Sequence, residues 1–155
     1  MDFLPTPLHP LIVHLPIAMT VLLPLFALGA LIAIRRGSRV LPVWALATAM
    51  IALTLGSGLL AKETGEDEED AVEKVVAEES IHTHEEAADD FVLATGVVLV
   101  IAGAGFVGGG VGSAARVLAT VGTLAVLGFG YQVGHTGGQL VYRDGAAAAY
   151  TPGGR

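Results

Sequence analysis

The chain has 155 residues, of which 53% are hydrophobic and 15% charged, against roughly 25% charged in an ordinary soluble domain. A net charge of −7 argues against a nucleic-acid partner, and the lack of cysteine excludes disulfides and thiolate metal sites. Any metal ligands must therefore be imidazole, carboxylate, Tyr or Met.

Residues 10–34, 41–61, 91–115 and 117–142 contain no Lys, Arg, Asp or Glu. Each run has the ~20 residues that cross ~30 Å of hydrocarbon as a helix. The expected fold is all-α: a polytopic membrane protein with four transmembrane helices in an antiparallel bundle and a short amphipathic outer helix. One domain, 1–145, holds spans near 10–34, 41–61, 91–111 and 117–136 together with an acidic outer loop, 62–90. Residues 146–155, rich in Ala, Gly and Pro, read as a flexible tail.

The first span lacks the basic start and small-residue cleavage site of a signal peptide, and is expected to be retained. Pro10 suits a first helical turn, whereas Pro16 should delay or kink the helix and Pro24 bend it again. The second span places Trp44 as an aromatic anchor near the membrane boundary. After it, residues 66–82 show apolar Ala71, Val72, Val75 and Val76 at helical spacing among acids, the pattern of a surface helix. Thr83-His84-Glu85-Glu86 has the form of a capping box opening the third span. That span ends in the glycine-rich stretch Gly103–Gly110, and the fourth carries Gly130 and Gly134 at the small-xxx-small spacing of close helix contacts. Gly137-Gly138 is a candidate helix end.

Arg35, Arg36 and Arg39 fill one short connection and Arg116 lies in another, so those ends should face the cytoplasm. The loop 62–90 carries 13 acids against Lys62 and Lys74, a net charge of −11, and should lie outside with both termini.

This topology gathers all five histidines at the outer face. Two imidazoles on facing helices can serve as axial ligands to a haem, and a larger set can hold Cu, Zn or Fe. His9 and His14 are five residues apart, about 140° around a helix, so one regular helix cannot aim both at a single centre. The same holds for His82 and His84. The economical set is His14, His84 and His135, and His82 reads as a solvent-facing residue. The first expectation is a haem b protein that transfers electrons to or from a quinone or redox partner. Here His14 and His135 are the axial pair, His84 is a substitute, and Gly130, Gly134, Gly138 and Tyr142 border the cofactor. The alternatives are a Cu, Zn or Fe binding or transport module using His9, His14, His84, His135, Glu85 and Glu86, or an accessory membrane subunit without a cofactor. No nucleophile, phosphate-loop or zinc-protease motif is present. A transporter of this size would have to assemble as a homo-oligomer.

His9-Pro10-Leu11-Ile12-Val13-His14-Leu15-Pro16-Ile17-Ala18, then His84-Glu85-Glu86, then Gly137-Gly138-Gln139-Leu140-Val141-Tyr142 together resemble the domain of unknown function 2231 family of predicted prokaryotic four-span membrane proteins. The resemblance covers nearly the whole chain, although Leu15 stands where the family commonly has an aromatic. It implies the four-span inner-membrane architecture and marks His9, His14, His84, Gly138 and Tyr142. It does not choose between haem and metal.

Overall fold

A computed structural model describes residues 7–151, which form helices and no strand. The elements are α1 (His9–Ile12), α2 (His14–Arg35), α3 (Val40–Glu66), α4 (Glu69–Val72), α5 (Glu78–Ala104), α6 (Gly109–Tyr142) and a 3-10 turn (Ala146–Tyr150). The four long segments His9–Arg35, α3, α5 and α6 are long and apolar enough to cross a membrane. They form an all-α four-helix membrane bundle in which α2 and α5 each pack against both α3 and α6. At 1.5 Å per residue the 27 residues of α3 and of α5 reach ~40 Å, and the 34 of α6 reach ~50 Å. These three helices therefore stand well beyond a ~30 Å hydrocarbon layer at the acidic end.

The break between α1 and α2 falls at Val13. Pro10 occupies the first turn of α1, where no amide is needed, and Pro16 cannot donate to the carbonyl four residues before it. Pro24 lies inside α2 without ending it.

Leu23, Trp44, Ile51, Phe91, Val98, Ala102, Ala119 and Val126 make the core, while long rows of Leu, Val and Ile on every helix face outward. That exposure is what a lipid solvent requires. Thr54, Thr95 and Thr123 are fully buried at the centre, and each hydroxyl donates to a carbonyl of its own helix, at 2.9, 2.7 and 2.6 Å. Satisfied locally, they let backbones approach without leaving a polar group bare in hydrocarbon.

Several expected boundaries are corrected. The outer surface helix of residues 66–82 shrinks to the four residues of α4, because α3 and α5 prolong themselves into the acidic segment. Extending an existing helix costs less than nucleating a new one, and Glu78 and Glu79 suit the positive end of α5. Val72, Val75 and Val76 still face inward, packing with Ile81, Leu140 and Ala146. Thr83 is not a cap: it lies inside α5 and its hydroxyl donates to Glu79 O at 2.8 Å.

Gly137-Gly138 do not end α6, which runs on to Tyr142. Arg116 is not in a loop either. It sits inside α6, buried, and its guanidinium donates to the carbonyl of Gly105 just past α5 and to Ser113. A cation there offsets the negative end of the α5 dipole. Trp44 is no boundary anchor: it is completely buried, and its indole N–H donates to Ala102 O at 2.8 Å. Within the segment read as a flexible tail, residues 146–150 instead form the docked 3-10 turn with Ala146 buried. Residues 152–155 lie outside the described part.

Candidate functional site: a histidine pair at the acidic end

Two of the five histidines meet. The rings of His9, on α1, and His84, on α5, have centroids 6.4 Å apart and planes crossed at 84°. His84 precedes Phe91, where the charge-free run of α5 begins, by seven residues (91 − 84). At ~1.5 Å each that is ~10 Å along the helix, on the acidic side of the apolar run.

Each ring is held by its Nδ1. His9 Nδ1 lies 2.8 Å from Ala61 O, a pure acceptor, so the ring proton is on Nδ1. His84 Nδ1 lies 2.9 Å from Thr136 Oγ1. The Thr136 hydroxyl hydrogen is directed to Gln132 O or Val133 O at 3.2 or 3.1 Å, so its oxygen accepts from His84. Both imidazoles therefore take the tautomer whose Nε2 lone pair is free, the form that ligates metals.

Glycines make the space. A Cβ on Gly65 would stand 3.3 Å from the His9 ring, and one on Gly137 would stand 3.0 Å from Cε1 of His84. A carboxylate then anchors the backbone beside the site. Glu68 Oε1 accepts the amides of Leu8 and His9, the latter at 3.0 Å, and Glu68 Oε2 accepts the Tyr150 hydroxyl at 3.1 Å. One side chain between α3 and α4 thus ties down the start of α1 and the C-terminal 3-10 turn.

That clasp has a pH signature. Partial burial and the bond to Glu68 push the Tyr150 phenol up to about 12. A raised folded value means the contribution is fully present below the ordinary phenol value of ~10 and is lost as pH rises through about 12. An ultraviolet phenolate titration of wild type should therefore show a late-ionising tyrosine that Tyr150→Phe removes. If the phenol lost in the variant titrates near 10, the clasp is wrong.

The other expected site residues are elsewhere. His14 is exposed and donates to Pro10 O at 2.7 Å, back across the break between α2 and α1. His135 is exposed, stacks on Tyr131 with ring centroids 6.0 Å apart, and has its Nε2 3.1 Å from the Gln139 amide. The axial pair His14 and His135 is thus corrected: helical phase turns both rings out of the bundle. Glu85 and Glu86 pair with exposed His82 at 3.9 and 3.4 Å, on the outside of α5. The six-residue metal set is not assembled, for among the described residues no three His, Asp or Glu side chains converge to hold an ion.

Gly130 serves packing, since a Cβ there would stand 2.6 Å from Thr20 Cγ2. Gly134, His135, Gly138 and Tyr142 do share one surface, an open groove of about 480 Å³ along α6 with Gln139 and Arg143, but it faces outward. Sequence reasoning passed over Thr136, Gly137, Gly65 and Glu68. The useful signal for Thr136 and Gly137 was their position beside His135 on a helix that continues. Nothing in sequence marks Glu68 among its acidic neighbours. No family model matches the chain, nor does any curated protein or solved structure.

Proposed function

We propose that the chain is a membrane protein of the domain of unknown function 2231 family, set in the cytoplasmic membrane of a prokaryote with its acidic end outside. On this reading it binds one transition-metal ion between His9 and His84. The carrying observation is the pair itself, two rings 6.4 Å apart with both Nδ1 atoms engaged. Two in-line metal–nitrogen bonds of ~2 Å place imidazole centroids ~6 Å apart. Copper in its monovalent state, content with two donors, suits the site better than zinc, which takes four ligands, and iron remains a candidate through imidazole. The acidic segment beside the site favours a cation by its field.

A second reading, a haem b electron carrier serving a quinone or redox partner, draws on the same numbers. Nearly perpendicular imidazoles at this separation also suit the two sides of a porphyrin. The backbones of Gly65 and Gly137 come close to the ring edges, and an ion needs less space there than a macrocycle. Absorption spectroscopy with metal analysis on the purified protein tests both readings. About one copper per chain without a Soret band supports the ion; a Soret band with low-spin features supports haem. Neither would end both and leave a cofactor-free accessory subunit.

Thr136→Val should weaken ion binding by ~10–100-fold, the usual cost of losing an outer partner that orients a ligating imidazole. A competition titration with a chromogenic copper chelator measures it, and unchanged affinity would show that Thr136 does not set the His84 tautomer.

A further inference from the structure

At the opposite end of the bundle from the histidines, α2 and α3 leave an apolar groove of about 370 Å³ between them. Leu22, Leu25, Phe26 and Gly29 line one wall, and Val43, Leu46 and Ala47 the other. The α2 residues follow the i, i+3, i+4, i+7 stripe, and Arg36 is the first residue past the end of that helix. Arg39, with extended backbone, is the residue that leads into α3. The short connection that joins the two walls therefore carries Arg36 and Arg39, with Arg35 at the end of α2. All three arginines are exposed, and none has an ion-pair partner among the described residues.

An apolar slot in the hydrocarbon that ends at unpaired cations in the headgroup layer has the charge and polarity profile of one ligand. We propose that this groove binds an anionic phospholipid, with an acyl chain between α2 and α3 and the phosphate over Arg36 and Arg39. Guanidinium recognises phosphate by parallel N–H donation as well as by charge, which a zwitterionic lipid with its own ammonium competes against. A Cβ on Gly29 meets nothing within 4 Å, so the space beside this wall is open to a ligand. The site is independent of the histidine pair.

The test reconstitutes the full chain in nanodiscs containing equal phosphatidylglycerol and phosphatidylcholine of identical chains, then delipidates it in detergent. Native mass spectrometry counts what stays bound. The expected result is one phosphatidylglycerol retained per chain, in several-fold excess over phosphatidylcholine. The double variant Arg36→Gln with Arg39→Gln should reduce that retention about tenfold through the headgroup. Gly29→Leu should do so through the chain, at an exposed position where folding is undisturbed, as circular dichroism would verify. Equal retention of the two lipids, or retention unchanged in both variants, overturns the proposal. So does displacement by soluble glycerol phosphate at concentrations matching the lipid, because the groove would then contribute nothing. If Gly29→Leu changes the oligomeric state and not the bound lipid, the groove is an interface between copies instead.

Discussion

Gly105→Ala should destabilise the bundle by about 3 kcal/mol, combining overpacking with the loss of a buried hydrogen bond. A methyl group at this position would overlap Trp44 Nε1 and stand 2.8 Å from Ala102 O, the two atoms joined by the indole hydrogen bond. Trp44 has no exposed surface into which it can retreat, and the Gly105 carbonyl also receives the buried Arg116 guanidinium. The backbone of Gly105 is ordinary, with φ of −63°, so space and not conformation requires glycine here. Two residues earlier the same substitution should do the reverse. A Cβ on Gly103 meets nothing within 4 Å, and Gly103→Ala should gain ~0.5–1 kcal/mol from helix propensity. Thermal unfolding of both variants followed by circular dichroism in one detergent compares them directly. A Gly105→Ala protein that melts with wild type would mean the Trp44 contact does not hold α3 against the end of α5.

The second large effect concerns ligand binding. His9→Ala and His84→Ala should each lower copper affinity by at least ~100-fold, more than the loss of an outer-shell partner, because each removes half of a two-donor site. His14→Ala, His82→Ala and His135→Ala should leave affinity unchanged, since those rings are exposed and engaged by neighbours within four residues. Chelator competition across the five variants reads the contrast, and an equal loss in all five would reject a centre at His9 and His84. Gly137→Ala supplies an intermediate: its methyl would press on Cε1 of His84 from 3.0 Å and displace the ring without removing the ligand. A partial loss of affinity there, with helicity intact, separates positioning from folding.

Four spans and their helical character were readable from the chain because charge-free length is a local property, fixed by the cost of moving charge into hydrocarbon. The break at Val13 was readable for the same kind of reason, since proline acts on its own turn. The presence of histidines at one end also followed, because antiparallel crossing alone brings residues 9, 84 and 135 to the same side. Which of them meet did not follow. That depends on the rotation of each helix about its axis, and neither α2 nor α6 carries a polar stripe strong enough to set it. Tertiary packing through Gly58, Gly122 and Gly130 chooses that rotation, letting Phe91, Val98 and Thr20 close in, and so turns His84 inward and His14 and His135 out. The roles of Trp44 and Glu68 were likewise settled only in three dimensions. Each gains its meaning from a partner more than fifty residues away, Ala102 for the indole and Leu8, His9 and Tyr150 for the carboxylate. The sequence alone determined a membrane-crossing helical bundle with an acidic end; the tertiary structure decided which side chains face each other, because lipid rewards an apolar surface on any side of a helix and leaves close contact to fix the phase.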